Sequence, residues 1–285
     1  MSALVEVQAL HKQFKGTSFG LKNVSFRIQP GSIVGFIGEN GAGKSTTIGS
    51  ILGTLRKDQG TIHVFGQERE QNELIVKEEI GVVFDRVQLP SELNVVQLER
   101  VFSGIYQQWS KETFFNYIEK FSLPRNKKIR SFSRGMSMKV SMAVALSHNA
   151  KLLLLDEATA GLDPSGREDL LQVLQEFVSD GERSILMSSH ITSDIEKIAD
   201  ELIFIKGGEV LLAINKETFL TSYGVLLCSE EEMASIPKEA IVAYRKKEGG
   251  IEVLVSDKDV IPSTIKKGSS TIDDMTLILM KGVKA

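Results

Sequence analysis

The segment GENGAGKS, residues 38–45, constrains this chain more than any other stretch of its sequence. It matches G-x-x-x-x-G-K-[ST], follows a strand-like run and precedes a helical one, which is the setting in which the pattern forms a phosphate-binding loop. The glycines let backbone N–H groups curl around phosphate oxygens, and the N-terminus of the next helix adds partial positive charge. The pattern therefore predicts a nucleotide-binding strand–loop–helix unit.

The same loop predicts roles for its individual residues. Lys44 would reach the β- and γ-phosphates, and the Ser45 hydroxyl would bind Mg²⁺. We therefore expect ATP and Mg²⁺ as cofactors, with Lys44 also contributing to catalysis. The residues expected to bind the nucleotide along this segment are Asn40, Gly41, Gly43, Lys44, Ser45 and Thr46.

A pair of acidic residues, Asp156 and Glu157, follows the run KLLLL at residues 151–155. A continuous apolar run is typical of a strand buried on both faces of a parallel sheet, and α/β sheets bind ligands at the carboxyl ends of such strands. We expect Asp156 to hold Mg²⁺ and Glu157 to polarise the attacking water. The alternative, that this pair only opens a helix, carries little weight beside a phosphate-binding loop.

Strand-like and helical segments alternate along residues 1–214, and this alternation predicts an α/β sheet. The stretch from about residue 91 to residue 150 has a helical pattern. The pattern of predicted secondary structure changes after about residue 215, where the sequence suggests a strand, a hairpin over Gly249-Gly250 and a last helix. We therefore predict a separate small α+β domain at residues 215–285.

Composition limits the classes of function. The formal net charge of −3 gives no electrostatic footprint for nucleic acid, so we expect no nucleic-acid partner. The one cysteine, Cys228, excludes an internal disulfide and suits a reducing compartment. No stretch reaches the roughly 20 apolar residues that a membrane helix needs. If the protein serves a membrane, we expect another chain to span it.

The order of the motifs resembles that of the nucleotide-binding domain of ATP-binding-cassette (ABC) ATPases. After the phosphate-binding loop come FSRGM at 132–136, LLLLDEATAGLD at 152–163 and SSH at 188–190. The resemblance covers roughly residues 4–214. It implies a P-loop NTPase (RecA-like) core with an antiparallel β subdomain and a helical subdomain, to which the C-terminal α+β domain would be appended.

The resemblance also implies roles for residues outside the phosphate-binding loop. Ser133 and Gly135 match the family signature L-S-G-G-Q, which faces the γ-phosphate held by a second nucleotide-binding subunit. His190 matches a switch histidine that contacts the γ-phosphate, and Asp163 matches the acid of a loop that crosses between subunits. Phe14 stands where an aromatic ring stacks on adenine. The signature positions that depart from the family are Phe132, Arg134 and Met136.

Asp85 ends the strand-like run IGVVF at the place where the family usually has glutamine. An anion beside the γ-phosphate adds repulsion unless a metal absorbs its charge, but a carboxylate binds a hard cation better than an amide does. The catalytic residues that a decayed ATPase would be expected to lose are present. We therefore predict that Asp85 is a functional ligand on the metal side of the site.

A narrower resemblance, carried by VVFD, SRGM and SHITSDIEKIAD, is to the antibiotic- and peptide-exporter ATPases of Gram-positive bacteria, of the bacitracin-resistance and phenol-soluble-modulin exporter type. It implies an ATP-hydrolysing subunit that powers export of an antimicrobial or peptide-like substrate through a separate transmembrane subunit. We expect it to pair with a second nucleotide-binding subunit, as a homo- or heterodimer, and to lie on the cytoplasmic face of the membrane.

Two alternatives remain open from the sequence. One is a soluble ABC-type clamp acting in translation or DNA repair, although such clamps usually carry two cassettes, long coiled coils or basic arms. The other is a regulatory ATP-binding module that is not coupled to transport.

Overall fold

The computed structural model describes residues 2–70, 77–85, 89–259, 261, 266–268 and 271–284. Within these residues the chain forms a central sheet, an antiparallel sheet and a C-terminal sheet, with helices packed around them. None of the helices in this described part is long and apolar enough to cross a membrane.

The central sheet is almost entirely parallel. Its strands are β3 (Ile33–Ile37), β6 (Ile80–Val83), β7 (Leu152–Asp156), β8 (Ser184–Ser189), β9 (Glu201–Lys206) and β10 (Glu209–Asn215). They lie in the order β10-β9-β3-β8-β7-β6, and β10 is antiparallel to its neighbour. Every residue of β3, β7 and β8 is buried, as expected for strands covered on both faces.

The antiparallel sheet is formed by strands from residues 5–68. It contains β1 (Val5–Gln13), β2 (Gly20–Ile28), β4 (Gln59–Val64) and β5 (Gln67–Glu68), in the order β2-β1-β4-β5. Buried residues of β1 and β2 share a hydrophobic cluster with β3 and with the helix that follows β3. This packing fixes the phosphate-binding loop from the side of the antiparallel sheet.

Helices follow the central strands. They are α1 (Lys44–Leu52), α2 (Val95–Ser103), α3 (Lys111–Lys120), α4 (Arg134–Ala145), α5 (Pro164–Val178) and α6 (Thr192–Ile198), with a 3₁₀ turn at Ile129–Ser131. The helical pattern expected between about 91 and 150 corresponds to α2, α3 and α4. The helical run expected after the phosphate-binding loop is α1, which is followed by Gly53 in a left-handed conformation.

The C-terminal part forms its own sheet. Its elements are α7 (Lys216–Ser222), β11 (Gly224–Cys228), α8 (Glu230–Ala234), a 3₁₀ turn (Lys238–Ala240), β12 (Ile241–Lys247), β13 (Gly250–Val255), β14 (Lys266–Lys267), α9 (Ile272–Lys281) and β15 (Val283–Lys284). The strand order is β14-β11-β13-β12-β15. The predicted strand, hairpin and last helix are therefore present.

This C-terminal part also packs on the rest of the chain. Phe219 of α7 is fully buried, with its ring centroid 5.2 Å from that of Phe204 in β9. Helix α9 contacts α6 and β9, and its buried face belongs to the hydrophobic cluster of the central sheet. A second cluster lies within the C-terminal part alone. The predicted boundary after residue 214 stays a prediction, because the two parts have separate sheets but a shared core.

Candidate active site

The phosphate-binding loop connects β3 to α1. Gly43 precedes the first helical residue with φ at 117°, a conformation that favours glycine. A Cβ at this position would lie 2.7 Å from Cδ2 of Leu21, so there is also no room for a side chain. The loop therefore needs glycine here both for its backbone angle and for its approach to β2.

Lys44 is buried, with a relative exposure of 5%. Its Nζ donates to the carbonyl oxygen of Gly38 at 2.6 Å and to that of Glu39 at 3.3 Å, and it lies 3.4 Å from Oε1 of Glu157. A buried ammonium is stable only when it is paired and hydrogen-bonded. These contacts hold the charge beside the loop, where a phosphate would meet it.

Asp156 ends β7 and is almost fully buried. Its Oδ1 accepts a hydrogen bond of 2.6 Å from Oγ of Ser188 on the neighbouring strand β8. The backbone N–H of Glu157 donates to the same hydroxyl at 3.1 Å. Ser188 therefore fixes both acids of the pair, a role that the sequence reasoning did not assign.

Glu157 is held in an uncommon backbone conformation, with φ at 54°. Non-glycine residues rarely adopt this region, and such residues cluster at functional sites. Its Oε2 lies 2.5 Å from Nδ1 of His190 and also accepts from the His190 backbone N–H at 3.3 Å. Its buried Oε1 accepts no hydrogen bond within the described part of the chain and lies beside Nζ of Lys44, at 3.4 Å.

The loop and the two strand ends enclose a cavity of about 350 Å³. Nine of the residues predicted for nucleotide, metal or catalysis line it together. They are Asn40, Gly41, Gly43, Lys44, Ser45, Thr46, Asp85, Asp156 and Glu157. The cavity is lined also by Glu39 and Phe19, which the sequence analysis did not single out.

The oxygen ligands in this cavity fit a magnesium ion. Ser45, Asp85 and Asp156 contribute a hydroxyl and two carboxylates to its lining. Mg²⁺ binds through one or two carboxylates plus substrate phosphates rather than in a cage of protein side chains. No group of three or more histidine, cysteine or acidic residues arranged for a metal occurs among the described residues.

The signature segment lies at the N-terminus of α4. The Ser133 side chain caps this helix by accepting from the backbone N–H of Met136 at 3.2 Å. Gly135 packs on the segment after Glu157, because a Cβ there would lie 3.3 Å from the carbonyl oxygen of Gly161. Among the described residues that line the phosphate cavity of this same chain, neither Ser133 nor Gly135 is found.

Asp85 has a partner that the sequence analysis did not anticipate. Its Oδ1 forms an ion pair with the guanidinium of Arg134, the first residue of α4. The two side chains are 44% and 55% exposed. The signal was visible in the sequence as two charged departures from the family pattern, but nothing in the sequence placed them together.

The aromatic residue of the cavity differs from the expected one. Phe19 lines the cavity, and Phe14 stacks on Phe19 with ring centroids 6.1 Å apart and planes at 21°. The prediction that Phe14 stacks on adenine remains a prediction. Phe19 is the aromatic ring that this conformation presents to the cavity.

Among the described residues, His190 is not part of the lining of that cavity; it lines a smaller cavity of about 230 Å³ beside Gly38 and Glu39 at the start of the phosphate-binding loop. Helix α9 contributes residues that include Asp273 and Thr276 to the same cavity, so the C-terminal part reaches the surroundings of His190. Asp163, expected between subunits, is the N-cap residue of α5 and makes no side-chain capping hydrogen bond there.

The fold and the site define a P-loop NTPase equipped for ATP hydrolysis: a phosphate-binding loop, a buried lysine and an acid paired with that lysine lie around one cavity. The family model described as ABC transporter matches residues 21–160. A solved ATP-binding subunit of an ABC transporter superposes with a TM-score of 0.69 at 26% identity, covering 76% of this chain and 91% of that chain.

Relatives of established name agree with this assignment. The lantibiotic transport ATP-binding protein SrtF of Streptococcus pyogenes is 33% identical over 211 residues, which cover 73% of this chain and 90% of SrtF. The bacitracin transport ATP-binding protein BcrA of Bacillus licheniformis is 30% identical over 213 residues, covering 74% of this chain and 69% of BcrA. The chain belongs to the ABC transporter family and is one of its ATP-binding ATPases. The family resemblance seen in the order of the motifs is confirmed.

Proposed function

We propose that this ATPase powers an exporter of peptide-like antimicrobial molecules and works with a separate membrane-spanning subunit at the cytoplasmic face of the membrane. The relatives named for lantibiotic and bacitracin transport support this cargo class. The observation that carries the proposal is the assembled cavity, in which Lys44, Asp156 and Glu157 meet. The clamp and regulatory alternatives have no comparable support.

A susceptibility assay in the native cells tests this function. Cells lacking the gene should become more sensitive to peptide antibiotics, and wild-type protein should restore resistance while Glu157→Gln should not. A membrane protein should co-purify with the wild type and with the variant alike. Unchanged susceptibility, together with purification free of any membrane protein, would instead favour the soluble clamp.

The active form would be a head-to-tail dimer with a second nucleotide-binding subunit. In support, Ser133 is exposed at the N-terminus of α4 and does not line the cavity of its own chain. A helix N-terminus with an exposed capping serine can meet an anion presented by another subunit. Light scattering of Glu157→Gln with saturating Mg-ATP should show a dimer, and adding ADP instead should leave a monomer. A variant that stays monomeric with ATP, in the presence of its partner subunits, would contradict this arrangement.

Mg²⁺ would bind at Ser45, Asp156 and Asp85, where it would neutralise phosphate charge during hydrolysis. Asp156 is oriented for this by Ser188, and Glu157 would take the proton of the attacking water. His190 contacts Oε2 of Glu157, whereas Lys44 lies beside Oε1 of the same carboxylate. Residues 1–214 would carry this chemistry, and residues 215–285 would form the appended domain.

A further inference from the structure

The ion pair between Asp85 and Arg134 links two segments that sit 49 residues apart in the chain. Asp85 follows β6 at the edge of the phosphate cavity, while Arg134 opens α4 in the signature segment. Both residues carry charge where the family pattern has a neutral residue. Opposite charges therefore occur at two unusual positions, and the fold brings them into contact.

The path of the Arg134 side chain is built into the fold. Gly161, after the catalytic acid, has φ at 86°, and a Cβ there would lie 3.0 Å from Cδ of Arg134 and 3.2 Å from its Nε. The arginine stem therefore lies across a position that has no side chain. Glycine at 161 leaves the space through which the guanidinium reaches Asp85.

The cavity carries an excess of negative charge. Among its described lining residues, Lys44 is the one cation, against the four acids Glu39, Asp85, Asp156 and Glu157. Such a lining repels a triphosphate unless other positive charge offsets it. The loop N–H groups, α1 and a metal supply part of that charge, and the guanidinium of Arg134 is a further source, because it touches one of the four acids.

Asp85 and Glu157 both line the cavity and follow the ends of neighbouring strands. In the parallel pairing of β6 with β7, Val83 is opposite Leu155, and each acid stands two residues beyond that pair. A general base for hydrolysis must stand near the γ-phosphate. An uncompensated charge on Asp85 would therefore oppose ATP more strongly than ADP, which lacks that phosphate.

We infer that Arg134 is a positioning residue of the ATP site in its own chain. Its guanidinium holds the Asp85 carboxylate at the cavity edge and offsets the charge of that carboxylate, which lets the cavity accept a γ-phosphate. The inference rests on the proposed function only in taking this cavity as the ATP site. It assigns a role within one chain to a segment whose expected role lies between two chains.

If the ion pair only stabilised the fold, removing it would leave the preference for ATP over ADP unchanged. A partly exposed ion pair contributes little to stability, typically below about 1 kcal/mol. The thermal midpoint of an Arg134→Gln variant should consequently move little, whereas its nucleotide preference should change. Comparing the two measurements separates positioning from mere stabilisation.

The test measures ATP and ADP binding to the full-length chain by calorimetry, using wild type, Arg134→Gln, Asp85→Asn and the double variant. Arg134→Gln should weaken ATP binding about fivefold at low salt, the size of one charge–charge interaction in water, and should affect ADP less. Adding Asp85→Asn should restore ATP binding to near the wild-type value. The loss should shrink between about 0.05 M and about 0.5 M salt, because salt screens exposed charges.

Two further variants serve as controls. Arg134→Lys keeps the charge, although not the planar fork of arginine, and should retain most of the ATP affinity. Arg130→Gln removes another exposed arginine of the same segment, one that pairs with Glu92 away from the cavity, and should bind both nucleotides like the wild type.

Several results would overturn the inference. Wild-type ATP affinity in Arg134→Gln, or an equal loss of ATP and ADP binding, would remove the charge role. A loss of ATP binding that Asp85→Asn fails to restore would mean that the arginine does not act through Asp85. If the wild-type chain itself bound no ATP, the proposed function would fail instead, so the two failures are distinguishable.

Discussion

The ends of β6 and β7 lie side by side in the central sheet, yet they hold their acids in different ways. Asp156 at the end of β7 is 6% exposed and bonded to Ser188 of the adjacent strand. Asp85, just beyond β6, has a side chain that is 44% exposed and pairs with Arg134 from the helical segment. One acid is fixed by its own sheet and the other by a separate part of the molecule.

The two acids therefore differ in how far their positions can change. The position of Asp156 depends on the pairing of two buried strands, which cannot shift without breaking the sheet. The position of Asp85 depends on where α4 lies relative to the sheet, because Arg134 belongs to α4. Movement of the helical segment would therefore act on Asp85 directly through Arg134, whereas Asp156 keeps its bond to Ser188 of the sheet.

The largest effect is expected at the β7 end. Glu157→Gln keeps the size of the side chain but removes the carboxylate that accepts a proton from water, so turnover should fall by about 10²–10⁴-fold. Nucleotide binding should remain, since Lys44 and the loop are unchanged. Steady-state ATPase assays and nucleotide titration of the same preparation measure both. Near wild-type turnover would show that Glu157 is not the catalytic base. The β7 end would then only bind the nucleotide and would not contribute the base.

A smaller loss is expected when the support of the β7 end is removed. Ser188→Ala deletes the hydroxyl that binds Asp156 and Glu157, and loss of such an orienting partner typically costs about 10–100-fold in metal affinity or activity. The magnesium dependence of hydrolysis should move to higher concentration.

Ser184→Ala is the matched control for that variant. Ser184 is a buried serine of the same strand, but its hydroxyl donates to the carbonyl oxygen of Gln29 at 2.7 Å, far from the acids along β8. Its magnesium midpoint should equal that of the wild type. Equal midpoints for Ser184→Ala and Ser188→Ala would mean that the sheet alone positions Asp156.

The β7 end was predictable from sequence because its signals are local. A phosphate-binding loop, an apolar run and the acids after it each occupy a short segment, and parallel strands bring their carboxyl ends to one edge. Nine predicted residues consequently line one cavity. The secondary structure of the C-terminal part was predictable for the same reason, since its hairpin turns at Gly249-Gly250.

The β6 end was only half predictable. The unusual charges of Asp85 and Arg134 are visible in the sequence, but their contact depends on how the helical segment packs against the sheet. The same limit applies to Phe19, whose place in the cavity depends on the path of the chain between β1 and β2. It also applies to α9, which reaches the cavity beside His190 from the far end of the chain. No local pattern encodes these long-range contacts.

The smallest effect is expected at the β6 end itself, in Asp85→Gln. The amide keeps a polar group within reach of Arg134 but is a weaker ligand for a hard cation than a carboxylate. ATP affinity should stay within about threefold, because removing the acid also removes a repulsion from the γ-phosphate. The magnesium midpoint of hydrolysis should rise by a similar factor, and stimulation by the membrane subunit should fall more than basal hydrolysis does.

The informative measurement is therefore ATPase activity with and without the membrane subunit, across a magnesium titration. Asp85→Gln differs from Ser188→Ala in the expected pattern: the β7 variant should lose basal activity, while the β6 variant should mainly lose the response to its partner. Suppose that Asp85→Gln raised basal turnover and left both the magnesium midpoint and the partner response unchanged. The acid would then act only as a brake on hydrolysis. The ion pair between Asp85 and Arg134 would have no effect on coupling, and the β6 end would not be the adjustable side of this site.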